Sequence, residues 1–176
     1  MTKKVLVLLV LLSLQLFARQ YDNTILDIEA KLFPKIAMLE KHIKNKDSAV
    51  LSLVIYTQEI DLEVAEKFKE KILNNYPNLL SDKKVNVSIE KNMSSLSSDI
   101  DALIVLNHSE EDLLKLTSWS NRRTILSFSY DPADLEYNVI ASIHIGSSTK
   151  PYLNTTVIKE HNFKFNSYLL QLSKLK

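Results

Sequence analysis

The chain has 176 residues, a formal net charge of +1, a single glycine and no cysteine. That length falls within the ~100–200 residues of one domain with one hydrophobic core, and the near-neutral balance argues against a nucleic-acid footprint, which needs basic residues concentrated on one face. Without cysteine, disulfides, thiol chemistry and thiolate metal sites are excluded together, so packing alone must hold the fold.

In chain order, MTKKVLVLLVLLSLQLFARQ comes first. Lys3 and Lys4 precede an apolar run from Val5 to Leu12 that continues to Ala18, the pattern of a secretory signal over residues 1–18 with cleavage after Ala18. The mature domain is then 19–176, expected to be soluble in the periplasm. An uncleaved anchor is the rival reading, since roughly 20 apolar residues span a bilayer, but the run is short and contains Gln15.

From Asp22 to Lys44, Ile25, Ile28, Leu32, Ile36, Leu39 and Ile43 recur at helical spacing, and Pro34 predicts a kink or restart near Phe33. AVLSLVIY (Ala49 to Tyr56) is β-branched and continuous, as in a strand buried on both faces. Asp61 can cap a helix with Leu62, Ala65, Phe68, Ile72 and Leu73 inward, and Pro77 follows its end. KVNVSIE (Lys84 to Glu90) alternates as a half-exposed strand, and KNMSSLSSD reads as a loop.

DALIVLN (Asp101 to Asn107) is another buried strand. Ser109 with Asp112 resembles a capping box that opens a helix running to about Trp119. TILSFS (Thr124 to Ser129) is a strand, Asp131-Pro132 a turn, and VIASIHI (Val139 to Ile145) a strand. PYLN begins a short final strand, Thr155 to His161 a short helix, and Asn166 or Ser167 caps a closing helix with Phe165, Leu169, Leu172 and Leu175 at helical spacing. The alternation predicts an α/β fold: a mostly parallel central sheet of about five or six strands flanked by helices, with an antiparallel edge around Gly146, in a single domain.

Gly146 alone cannot supply GxGxxG, a P-loop or the glycine-flanked serine elbow of α/β hydrolases, so no catalytic or cofactor-binding set is expected. His42, His108, His144 and His161 are scattered without the i, i+4 spacing that presents two ligands to one metal, and no metal site is expected. His108 stands just past the carboxyl end of a buried strand, where open α/β sheets bind ligands; with Tyr130 it would line a small-ligand pocket. WSNRR sets Trp119 beside Arg122 and Arg123, residue types enriched at binding hot spots, and these three are the candidate partner contacts. The bland alternative is a core tryptophan beside solvated arginines.

The ending YLNTTVIKEHNFKFNSYLLQLSKL, Tyr152 to Leu175, resembles that of YfiR-like periplasmic proteins. It has a strand ending in Leu153-Asn154, a short helix, then a capped helix with Ser167 and Leu169-Leu170. NRRTILSFSYD and DALIVLN are similar to two further segments of that family. The aromatic elements usual near its first helix are replaced here by LFPKIAMLEKHI, and the cysteines of some members are missing.

The resemblance implies a non-enzymatic regulator that binds and restrains the periplasmic sensor region of an inner-membrane protein. That partner is a diguanylate cyclase of cyclic di-GMP signalling or a histidine kinase, with an outer-membrane lipoprotein governing release; a homodimer is a further expectation. Two other classes stay open, a periplasmic small-ligand binding module and a hydrolase with an unrecognised site.

Overall fold

The computed structural model describes residues 21–106 and 108–176. The leader, its cleavage point and Asn107 lie outside the described residues. Helix α1 (Asn23–Ala37) is opened by Asp22, whose carboxylate accepts from Thr24 N at 2.7 Å and Ile25 N at 3.3 Å. These bonds to the charged form hold the Asp22 carboxyl below its ordinary range.

Two expectations about this helix are corrected. Its buried stripe is Leu26, Ala30, Phe33 and Ile36, with Ile28 and Leu32 half-buried beside it. Pro34 does not interrupt it near Phe33. The chain breaks after Ala37, where the backbone tightens to three-residue bonds (Leu39 N to Ile36 O, Glu40 N to Ala37 O) and Glu40 caps a new short helix, α2 (Lys41–Asn45).

Strand β1 (Val50–Tyr56) leads into α3 (Leu62–Asn75), which buries Ala65, Phe68 and Ile72. A two-residue strand β2 (Leu79–Leu80) turns back onto β3 (Lys83–Glu90). After β4 (Ala102–Val105), Ser109 caps α4 (Glu110–Asn121) by accepting from Asp112 N, and its hydroxyl donates to the Asp112 carboxylate. Then follow β5 (Leu126–Ser129), a 3-10 turn at Pro132–Tyr137, β6 (Ala141–Ile145) and β7 (Thr149–Leu153), with Gly146 in the β6–β7 turn. The chain closes with α5 (Thr155–Glu160), α6 (Ser167–Leu172) and β8 (Lys174–Leu175).

The described residues form one eight-stranded sheet in the order β2-β3-β1-β4-β5-β6-β7-β8. Strands β3, β1, β4, β5 and β6 are mutually parallel, while β7 and β2 join antiparallel. This is the mostly parallel α/β fold with an antiparallel edge that the pattern predicts; the additional strands are the two-residue pairs at the margins. PYLN is not the final strand, because α6 stops at Leu172 and β8 pairs parallel with β7. The closing apolar residues therefore do not share one face. Phe165 and Leu169 are buried, whereas Leu172 and Leu175 are 49% and 51% exposed.

Because alternate strand residues face opposite ways, the sheet builds two cores. Leu51, Leu53, Ile55, Ile104 and Phe128 pack under α1, α3 and the closing helices, and Phe33 stacks on Phe128 at 4.6 Å between ring centroids. On the other face Val54, Leu103 and Val105 pack with Leu113 and Leu116 of α4. Glu29 is fully buried in α1 and neither carboxyl oxygen has a hydrogen-bond partner among the described residues; burial pushes its pKa up to about 9.

With so little glycine, other residues take the left-handed turns. Thr124 (φ 56) and Asn162 (φ 59) terminate α4 and α5 in the same way. In each, one backbone N–H reaches back three residues (Thr124 to Asn121, Asn162 to Lys159) and the next reaches back five (Ile125 to Ser120, Phe163 to Ile158). A β-branched residue is strained there, so Thr124→Gly should raise stability by about 0.5–1 kcal/mol in urea unfolding.

Candidate functional site

Leaving β2 aside, the parallel strands run in the order of doubly wound sheets whose ligands sit at the carboxyl ends, where chain direction switches between β1 and β4. His108 and Tyr130 stand at that edge. His108 Nε2 lies 2.8 Å from Asp134 Oδ2, its side chain 5% exposed, and its Nδ1 lies 3.2 Å from the Ser109 carbonyl. The same Asp134 oxygen accepts from Ser129 Oγ. The Tyr130 hydroxyl accepts from Asp22 N at 2.9 Å, and its ring meets Tyr21 edge-on at 4.8 Å.

These bonds fasten the 3-10 turn and the start of α1 across the strand ends. A serine nucleophile needs a base on its hydroxyl and an open approach. Ser129 is fully buried and its hydroxyl is spent on a carboxylate, not on the imidazole.

The structure only partly brings Trp119, Arg122 and Arg123 together. Arg123 folds over the Trp119 ring, 4.9 Å from its centroid, and its Nη1 donates to the Trp119 carbonyl at 3.2 Å. Arg122, at the helix C-cap, turns into a separate shallow groove with Met93, Glu111 and Leu114. Trp119 is half-buried against the α4 core. The pair is therefore a helix-end cation–π contact, with the charge placed where it answers the last carbonyls of α4.

A third region, which sequence reasoning missed, lies at the opposite, amino-terminal ends of β4 and β5. A cavity of ≈ 320 Å³ is lined by His42, Lys46, Asp101, Arg123, Thr124 and His161, among others. A neighbouring hollow shares His42 and Lys46 and adds Lys41 and Lys164. Two buried acids tie the surrounding segments together, Asp101 in the lining and Glu40 through its bonds to His42. Glu40 accepts from His42 N (2.6 Å), Ile43 N (3.0 Å), Lys164 N (2.9 Å) and His42 Nδ1 (2.9 Å). Asp101 accepts from Ser52 N at 2.8 Å and from Lys46 Nζ at 2.9 Å.

Glu40 is taken up by backbone N–H groups and the His42 ring, whereas Asp101 lines the cavity and is paired there with Lys46. The sequence signal was present but diffuse: basic residues at the carboxyl ends of α2, α4 and α5, up to 119 positions apart (His42 to His161).

The sequence matches no protein-family profile and no curated protein. Solved structures share the fold. A conserved domain protein from Vibrio cholerae O1 biovar El Tor superposes with a TM-score of 0.60 at 10% identity, over 86% of this chain and 60% of that one. The ABC domain from Streptococcus pneumoniae in complex with L-Trp superposes with a TM-score of 0.53 at 13% identity, over 80% of this chain and 60% of that one. The chain thus spans 60% of the length of each, and at these identities the likeness is one of fold. Among the described residues no helix is long and apolar enough to cross a membrane.

Proposed function

We propose that this chain acts by binding, as a YfiR-like regulator in the periplasm that restrains the sensor region of an inner-membrane signalling protein, a diguanylate cyclase. The observation that carries the reading is the strand-end edge, where sheets of this order hold ligands. Here His108 and Ser129 are engaged with Asp134, and Tyr130 with the backbone N–H of Asp22. Side chains committed in this way favour action through the outer surface.

Apolar surface for such contact stands on the closing segment, which carries the family resemblance: Tyr168 is 65% exposed, with Leu172 and Leu175 beside it in sequence. A protein that binds one state of its partner better than the other shifts the partner's equilibrium by that difference alone and needs no catalytic group.

Affinity capture of the tagged protein from gently cross-linked native cells should recover a membrane cyclase or kinase with a periplasmic sensor region. Leu172→Glu with Tyr168→Glu should reduce that recovery by about tenfold, the scale expected when interface anchors are lost. Deletion of the chain should raise cellular cyclic di-GMP. Recovery of no membrane signalling protein, under conditions that capture a control pair, would overturn the reading.

A further inference from the structure

We propose that the cavity at the amino-terminal ends of β4 and β5 is a binding site for a small-molecule oxyanion, a metabolite carrying phosphate or clustered carboxylates. The inference is independent of the regulator reading. Its volume of ≈ 320 Å³ suits a small metabolite.

Charge points the same way. Glu40 and Asp101 are 1% and 5% exposed; Glu40 is held by backbone N–H groups and the His42 ring, and Asp101, which lines the cavity, is held by Ser52 N and has its charge answered by Lys46 Nζ at 2.9 Å. With Lys46 paired to Asp101, Arg123 carries the charge offered at the opening, and His42 and His161 line it as well. Lys41 and Lys164 stand in the adjoining hollow, where they raise the local potential for an incoming anion.

Arg123 is pre-organised. Its guanidinium lies over the Trp119 ring and spends one donor on the Trp119 carbonyl, leaving N–H groups for the planar, paired recognition that arginine gives carboxylate and phosphate. His42 is held at Nδ1 by Glu40, which fixes the ring and leaves Nε2 available.

Helix carboxyl ends normally repel anions, and α4 and α5 both end here. Their last carbonyls are, however, already bonded by the N–H groups of Thr124, Ile125, Asn162 and Phe163. Those two left-handed turns place Thr124 and Asn162 on the wall itself. Strained non-glycine turns of this kind recur at ligand sites.

The test is a titration of the full mature chain with inorganic phosphate and, separately, citrate, at constant ionic strength, following the His42 and His161 ring resonances by NMR. Saturable shifts in the millimolar range are expected. Arg123→Gln and His161→Gln should each weaken the fit by about tenfold, the loss of one charge-assisted contact, whereas Lys67→Gln on the solvent side of α3 should leave it unchanged. Tighter phosphate would assign a phosphorylated ligand, and tighter citrate a polycarboxylate. Shifts that never saturate, or equal affinity in the folded Arg123→Gln and His161→Gln variants, would overturn the site. Neither result bears on partner capture, so the two proposals fail separately.

Discussion

Glu29→Gln should stabilise the protein by about 4 kcal/mol at pH 7.5 and by almost nothing at pH 4.5. The carboxyl of Glu29 is wholly enclosed, no donor among the described residues reaches either oxygen, and burial raises its pKa from 4.5 to about 9. At neutral pH the unfolded chain carries this group ionised and the folded chain carries it protonated, so folding takes up a proton. The contribution of Glu29 to stability is therefore fullest below pH 4.5 and is lost as pH rises toward 9, with a slope near 1.4 kcal/mol per unit.

Three units separate 7.5 from 4.5, which sets the size of the effect. Against a total of roughly 5–15 kcal/mol for a folded domain this is a large share. Urea unfolding of wild type and Glu29→Gln between pH 5 and 9 measures it directly. Parallel curves for the two proteins would show that Glu29 finds a partner in solution. Glu29→Met fills the same space without a polar atom and should stabilise at every pH.

The opposite result is expected eleven residues along. Glu40 is as buried as Glu29, yet it gathers the N–H groups of His42, Ile43 and Lys164 and the His42 ring. Glu40→Ala strands three backbone donors, of which those of Ile43 and Lys164 lie in the seam between α2 and the closing segment. An unsatisfied buried donor costs about 1–3 kcal/mol, so a loss of about 3–5 kcal/mol is expected. Glu40→Gln should fall between, since its amide restores one acceptor and adds a donor where donors already crowd. A shift in urea midpoint smaller than that of an exposed control such as Glu63→Ala would contradict this role.

The contrast between these glutamates marks the limit of what could be read without coordinates. Both sit in a stretch whose apolar spacing announces a helix, and the type and order of the larger elements follow from such spacing: β1 and β4 from continuous β-branched runs, α4 from Ser109 and Asp112. Spacing does not say which polar residue on a flank will be enclosed. That depends on how α1 packs against both the sheet and α3, where Phe33 meets Phe128 and Phe68, which placed Leu26 and Phe33 inward and left Ile28 and Leu32 at the side.

The two-residue strands β2 and β8 were invisible because their pairing is set by neighbours, not by local pattern. At the sites the reasoning is the same. Trp119 and Arg123 are four apart, in the last turn of α4 and just past its end, and were found together. His108 and Asp134 are 26 apart, and the groups of the cationic cavity are gathered from four segments only by the sheet's topology.

The seam that Glu40 closes also has a consequence for the order of folding. Lys41 N bonds Lys164 O, Asn166 N bonds Leu39 O, and Glu40 pairs with Phe165 across 123–127 residues of chain. Contacts of such sequence separation carry the largest loop-closure entropy and gain little until the intervening strands are in place. The β1–α3–β3 unit, by contrast, is nearly local. The expected sequence of events therefore ends at this clasp, and native-state opening begins there, as a cooperative unit of α2 with the closing segment. A ligand lodged against His42 and His161 would lie across that hinge line, and its binding energy would appear as slowed hydrogen exchange at Lys41 and Lys164 before it appeared anywhere else in the sheet.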